Sequence, residues 1–139
     1  MPQKPIELIL LKELVSQLAF PVTVVDARGD VVFLNQPAEL LLGVSLEELG
    51  EVPIARFSEL YRPLDTDGMP IPFERLPIGV AIHDRAPQQS QLWVHASDGT
   101  PHLIATTTIP LDGQGGTPLG AMAIFWEVDG PSRPPVPVP

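Results

Sequence analysis

The last third of the chain reads as three strand-length runs, Gln89 to Ala96, His102 to Leu111 and Leu119 to Val128. They are joined by Ser97-Asp98-Gly99-Thr100 and Asp112-Gly113-Gln114-Gly115-Gly116, loops short enough, and rich enough in glycine, to link antiparallel neighbours. Two more β-branched runs, Val22 to Val25 and Val31 to Leu34, flank the glycine turn Asp26-Ala27-Arg28-Gly29-Asp30. Five strands in hairpin order predict one antiparallel sheet.

The helices are kept apart from these strands. Ile6 to Phe20 reads as a helix stopped by Pro21, with Leu8, Leu10, Leu11, Leu14, Val15 and Leu18 on one wide arc. Ile6 and Ile9 intrude on its polar side, so it has two apolar contacts to make. Asn35 is a suitable N-cap for Gln36 to Leu42, which Gly43 closes. Ser45-Leu46-Glu47-Glu48 has the form of a capping box opening a further short helix. Val52 to Pro72 is mixed, with a turn at Asp65-Thr66-Asp67-Gly68. Phe73 to Asp84 reads as a helix with Pro77 tolerated near its first turn. Segregated helices and hairpin-linked strands predict an α+β fold. The last ten residues hold five prolines and predict an extended tail, so the folded part is expected to end near Asp129.

Composition narrows the function classes. Of 139 residues, 44% are hydrophobic, enough for the core of one domain. Eight basic residues against 17 acidic ones give a net charge of −9, and the basic residues are scattered singly. Such a surface offers no stripe for phosphates, so neither nucleic acid nor an anionic membrane is an expected partner. With no cysteine, disulfides, thiol catalysis and thiolate metal sites are excluded. No apolar run approaches the length of a membrane span, and Glu7 and Glu13 interrupt the N-terminal run, against a signal peptide. A cytoplasmic protein is the resulting expectation.

The ordered pieces resemble a known family. PVTVVDARGDVVFLNQPAELLLGVSLEEL resembles the opening of a PAS domain, and PLDTDGMPIPFERLPIGVAI resembles the stretch leading into its central helix. VHASDGTPHLIATTTIPLDGQGGTPLGAMAIFWEV resembles its last three strands. The likeness spans about residues 20 to 129. It implies a PAS-like five-stranded antiparallel sheet with short helices on one face and the N-terminal helix on or near the other. Residues 1–19 would be a flanking, dimerising helix, 20–129 the PAS domain and 130–139 a tail or linker. The implied role is a bacterial sensory or regulatory module, not an enzyme. It would work with a histidine kinase or similar effector in a two-component system, binding a small molecule or mediating homodimerisation. The alternatives are an interaction adaptor without a ligand and, last, a haem-binding sensor. Where many PAS domains continue into a helical linker, Gly130 and the prolines make such a helix doubtful, so an effector is expected either beyond a flexible spacer or in trans.

Strand alternation divides the side chains into two sets. The resemblance implies that Thr23, Val25, Leu92, Val94, Ile104, Thr106, Ala123 and Phe125 face a pocket, with Leu41 from the helix beside them. Thr106 and Thr108 share that face, and their hydroxyls beside small alanines suit an organic ligand; threonine's β propensity explains them equally well. The opposite face carries Trp93, Met122, Ile124 and Trp126, too apolar to stay wet. It calls for a cover by Leu10, Leu14 and Leu18 of the N-terminal helix, either from a second copy or from the same chain.

Other candidates reduce to structure. The flavin adduct of light-sensing relatives needs a cysteine and is excluded. His83, at a helix end beside Asp84 and Arg85, is better placed for solvent than as a haem ligand. His95 and His102 lie too far apart in sequence pattern to form a metal site with it. Asp26 and Asp98 read as turn residues and Asn35 as a cap. Glu47, Glu48 and Glu51 read as a solvated face, and no catalytic constellation is present.

Overall fold

The computed structural model describes residues 6–136; the first five residues and the last three lie outside the described part. Its elements are α1 (Ile6–Val15), β1 (Val22–Asp26), β2 (Asp30–Leu34), α2 (Gln36–Leu42), α3 (Leu46–Leu49), β3 (Val52–Pro53), α4 (Ile54–Leu60), α5 (Pro77–Asp84), β4 (Gln88–His95), β5 (Pro101–Asp112) and β6 (Pro118–Glu127). The expected five strands form one antiparallel sheet. The two-residue β3 adds a sixth at its edge, giving the order β3-β2-β1-β6-β5-β4. The first and last strands of the sequence pattern thus meet in the centre, Thr23 opposite Ala123 and Val25 opposite Ala121.

That closure depends on Gly120. Its φ is +138°, and a Cβ there would lie 1.8 Å from the Val25 carbonyl oxygen, so only glycine lets β6 approach the end of β1.

Each sheet face has its own core. Inside, Val25, Leu34, Leu92, Val94, Ile104, Ala121 and Phe125 pack against Leu42, Ile54, Phe57, Leu76 and Ile78 from the helical side. Outside, Leu8 and Val15 of α1 close over Val22, Val24, Val32 and Met122. The N-terminal helix therefore folds back on its own sheet, and both layers arise from period-two strands.

Three local readings are corrected. The first helix ends at Val15 rather than Phe20. The Leu18 N–H bonds the Val15 carbonyl (3.1 Å), and so does Asn35 Nδ2 (3.1 Å), which satisfies the helix end and turns the chain. Phe73 to Asp84 is interrupted: a 3₁₀ turn, Phe73–Arg75, is followed by Leu76 in an extended conformation (φ −65°, ψ 146°), and α5 begins at Pro77. Proline disfavours the helical region for the residue before it and itself suits a first helical turn. Ser45 makes no side-chain cap bond; the Glu39 carboxylate accepts from Leu46 N–H instead (2.9 Å). Gly43, at φ 70°, ends α2 and reverses the chain so that α3 begins beside Glu39. Asn35 caps α2 as expected, accepting from Ala38 N–H (3.1 Å).

Candidate functional site

The inner face of the sheet does not pack completely against the helices. Between β4, β5 and β6 on one side and α4 and α5 on the other lies a cavity of about 60 Å³. Alternation places its sheet wall: Thr106 lies opposite Phe125, and Thr108 opposite Ala123. The helical wall comes from Phe57 and Tyr61 at the end of α4, Leu76, and Pro77 and Ile78 at the start of α5. The extended backbone at Leu76 is what brings the start of α5 over the sheet.

The lining is almost wholly apolar. Among the described residues it contains no Asp, Glu, Lys, Arg or His. Tyr61 is its one ionisable group, and burial pushes that phenol well above the usual tyrosine range, so it stays neutral. The Tyr61 ring meets Phe57 edge to face, centroids 5.7 Å apart. Thr106 Oγ1 donates to the Ile124 carbonyl (3.3 Å), a bond within the sheet. Thr108 Oγ1 is buried with no hydrogen-bond partner among the described residues.

Of the residues assigned to a pocket from sequence, Thr23, Leu92, Val94, Ile104, Thr106, Ala123 and Phe125 line this cavity. Val25 is fully buried in the inner core but stands away from the cavity, beside Ala121. Leu41 is half-buried and turns toward a surface groove; its neighbour Leu42 takes the cavity position, since successive helical residues point about 100° apart. Ile54, Phe57, Tyr61, Leu76, Pro77 and Ile78 were missed. They come from a stretch whose element boundaries the prolines obscure.

Much of the outer face is covered within the chain. Met122 lies under α1 of the same chain, and Ile124 packs against that layer. Trp93, 2% exposed, is enclosed by its own chain. Trp126 is half-buried and meets Phe20 edge to face at 6.1 Å. Leu10 and Leu14 point away from the sheet, 58% and 61% exposed, with Leu18 partly so. The wide apolar arc of α1 is divided: Leu8, Leu11 and Val15 face inward, and Leu10 and Leu14 face out.

The histidines stand apart from the cavity. His83 is on the surface, its Nδ1 2.7 Å from Asp84 Oδ1. His95 Nδ1 contacts the Arg62 carbonyl (3.0 Å). His102 Nδ1 lies 3.0 Å from Glu127 Oε2, in the groove that also holds Leu41, Ser97 and Asp98. The Thr100 N–H bonded to Asp98 holds that carboxyl below the usual range, as a turn residue. Among the described residues, no three His, Asp or Glu side chains cluster as a metal site. Without an imidazole in its lining, the cavity does not fit haem.

Comparison with known proteins agrees with this architecture. The sequence matches the PAS fold family over residues 15–132, most of the chain, and the chain belongs to that family. A search of curated proteins finds no match. Among solved structures, the PAS domain of Bordetella pertussis BvgS is similar at 16% identity and a TM-score of 0.62, covering 89% of this chain and 87% of that one. A Rhodobacter sphaeroides LOV protein is similar at 18% identity and a TM-score of 0.70, covering 90% of this chain and 69% of the other. A PAS domain from a two-component sensor histidine kinase is similar at 12% identity and a TM-score of 0.60, covering 88% of this chain and 97% of that one. The PAS fold is a sensory rather than a catalytic module. No helix among the described residues is long and apolar enough to cross a membrane.

Proposed function

We propose that this domain is the cytoplasmic sensory module of a bacterial signal-transduction protein, taking a small molecule into the cavity between its sheet and α5. The observation that carries this reading is the cavity itself: apolar, bounded by the inner sheet face, and roofed by short helices. A ligand there touches β5, β6 and α5 together, so its binding energy can bias how the helical layer sits on the sheet. The effector it regulates is a histidine kinase or a similar enzyme, a reading supported by the likeness to a sensor-kinase PAS domain. The domain works as a homodimer joined along the exposed apolar side of α1, with Ile6, Leu10 and Leu14 at its centre.

A second reading has an observation of its own. A space of about 60 Å³ is well below the several hundred Å³ of most ligand sites. This favours an adaptor that dimerises and binds partner proteins with its interior filled. Native mass spectrometry of gently purified protein separates the two. The sensory reading predicts a dimer, twice 15.0 kDa, carrying excess mass that is lost on denaturation. A dimer without excess mass supports the adaptor, and a bare monomer overturns both.

A further inference from the structure

The polar group that the cavity leaves unanswered is the Thr108 hydroxyl. Thr108 is 1% exposed, sits on the inner face of β5 opposite Ala123, and lines the cavity, yet its Oγ1 has no partner. Its neighbour two residues back, Thr106, spends its hydroxyl on the sheet. A buried hydroxyl without a partner is disfavoured unless something else meets it. A water is a poor candidate, because it needs two to four polar contacts and this lining is almost entirely hydrocarbon.

Resting on the reading of the cavity as the sensory site, we propose that its ligand is a neutral, mainly apolar molecule no larger than about one ring, with a hydroxyl or carbonyl that pairs with Thr108 Oγ1. Size follows from the volume. Neutrality follows from a lining without any charged side chain, where a carboxylate or ammonium would be buried unpaired. The polar group follows from the buried, unpartnered Thr108 hydroxyl, which can donate to a carbonyl or accept from an alcohol or phenol.

Calorimetric titration of the full chain with phenol, benzene and benzoate tests this, in the native protein and in Thr108→Val and Thr108→Ser. Valine keeps the shape and removes the hydroxyl; serine keeps the hydroxyl. The native protein is expected to bind phenol about tenfold more tightly than benzene, the worth of one buried hydrogen bond, and to leave benzoate unbound. Thr108→Val is expected to bind both equally, and Thr108→Ser to retain the preference. If the valine variant keeps the phenol preference, Thr108 is not the anchor, although the cavity remains a ligand site. If benzoate binds as well as phenol, the ligand is not restricted to neutral molecules. If neither phenol nor benzene binds the native protein, the sensory reading of the cavity fails with the proposal.

Discussion

Asn35 joins four separate pieces of the chain through one side chain. Its Oδ1 accepts from Val22 N–H at the start of β1 (2.9 Å) and from Ala38 N–H in α2 (3.1 Å). Its Nδ2 donates to the carbonyls of Val15 at the end of α1 (3.1 Å) and Phe20 before β1 (2.8 Å). All four hydrogen-bonding positions of the amide are filled, and the residue is buried. Asn35→Ala strands those backbone groups and removes the α2 cap, so a loss of about 3 kcal/mol is expected in a denaturant titration. A loss under about 1 kcal/mol would mean that water replaces these bonds. Only the capping role was legible in the sequence, because a cap is local, whereas the bonds to Val15 and Phe20 span 20 and 15 residues. The same distinction explains Ser45 and Thr108. Sequence pattern marked Ser45 as a cap, but Glu39 reaches the site first. It placed Thr108 on the inner face, but an unpartnered hydroxyl is a property of everything around it.

Strands were read more accurately than helices, for a physical reason. Period-two alternation fixes a strand's facing from its own residues, and Thr23, Thr106, Ala123 and Phe125 all reached the predicted side. Helix α4 left no comparable signature between Val52 and Pro72. The buried Phe57 and Ile54 and the half-buried Tyr61 therefore entered the site unannounced. For α1, apolar residues on more than one side imply more than one contact, and among the described residues only one of those sides is met. Deleting the helix would uncover Val22, Val24 and Met122 and so confound folding with association. Paired Leu10→Glu and Leu14→Glu exchanges test association alone, since both side chains already face out. Light scattering is expected to show a dimer for the native protein and a folded monomer for the variant. An unchanged dimer mass would move the interface elsewhere.

At the scale of the molecule, the topology determines where sensing can occur. Both ends of the strand pattern meet at the centre of the sheet, α1 seals one face, and short helices cover the other incompletely. The family and the two-layer plan were legible because turns, caps and strand lengths recur in a fixed order over residues 15–132. The cavity was legible only as a face, since its size depends on how Leu76 and Pro77 set α5 above Ala123. The most direct test is a two-dimensional amide NMR titration of the full chain with phenol. Saturable shifts are predicted at Thr106, Thr108, Ala123, Phe125 and the first turn of α5, with the exposed side of α1 unaffected. Absence of shifts at saturating phenol, or shifts confined to the groove around Leu41 and His102, would contradict a ligand site between the sheet and α5.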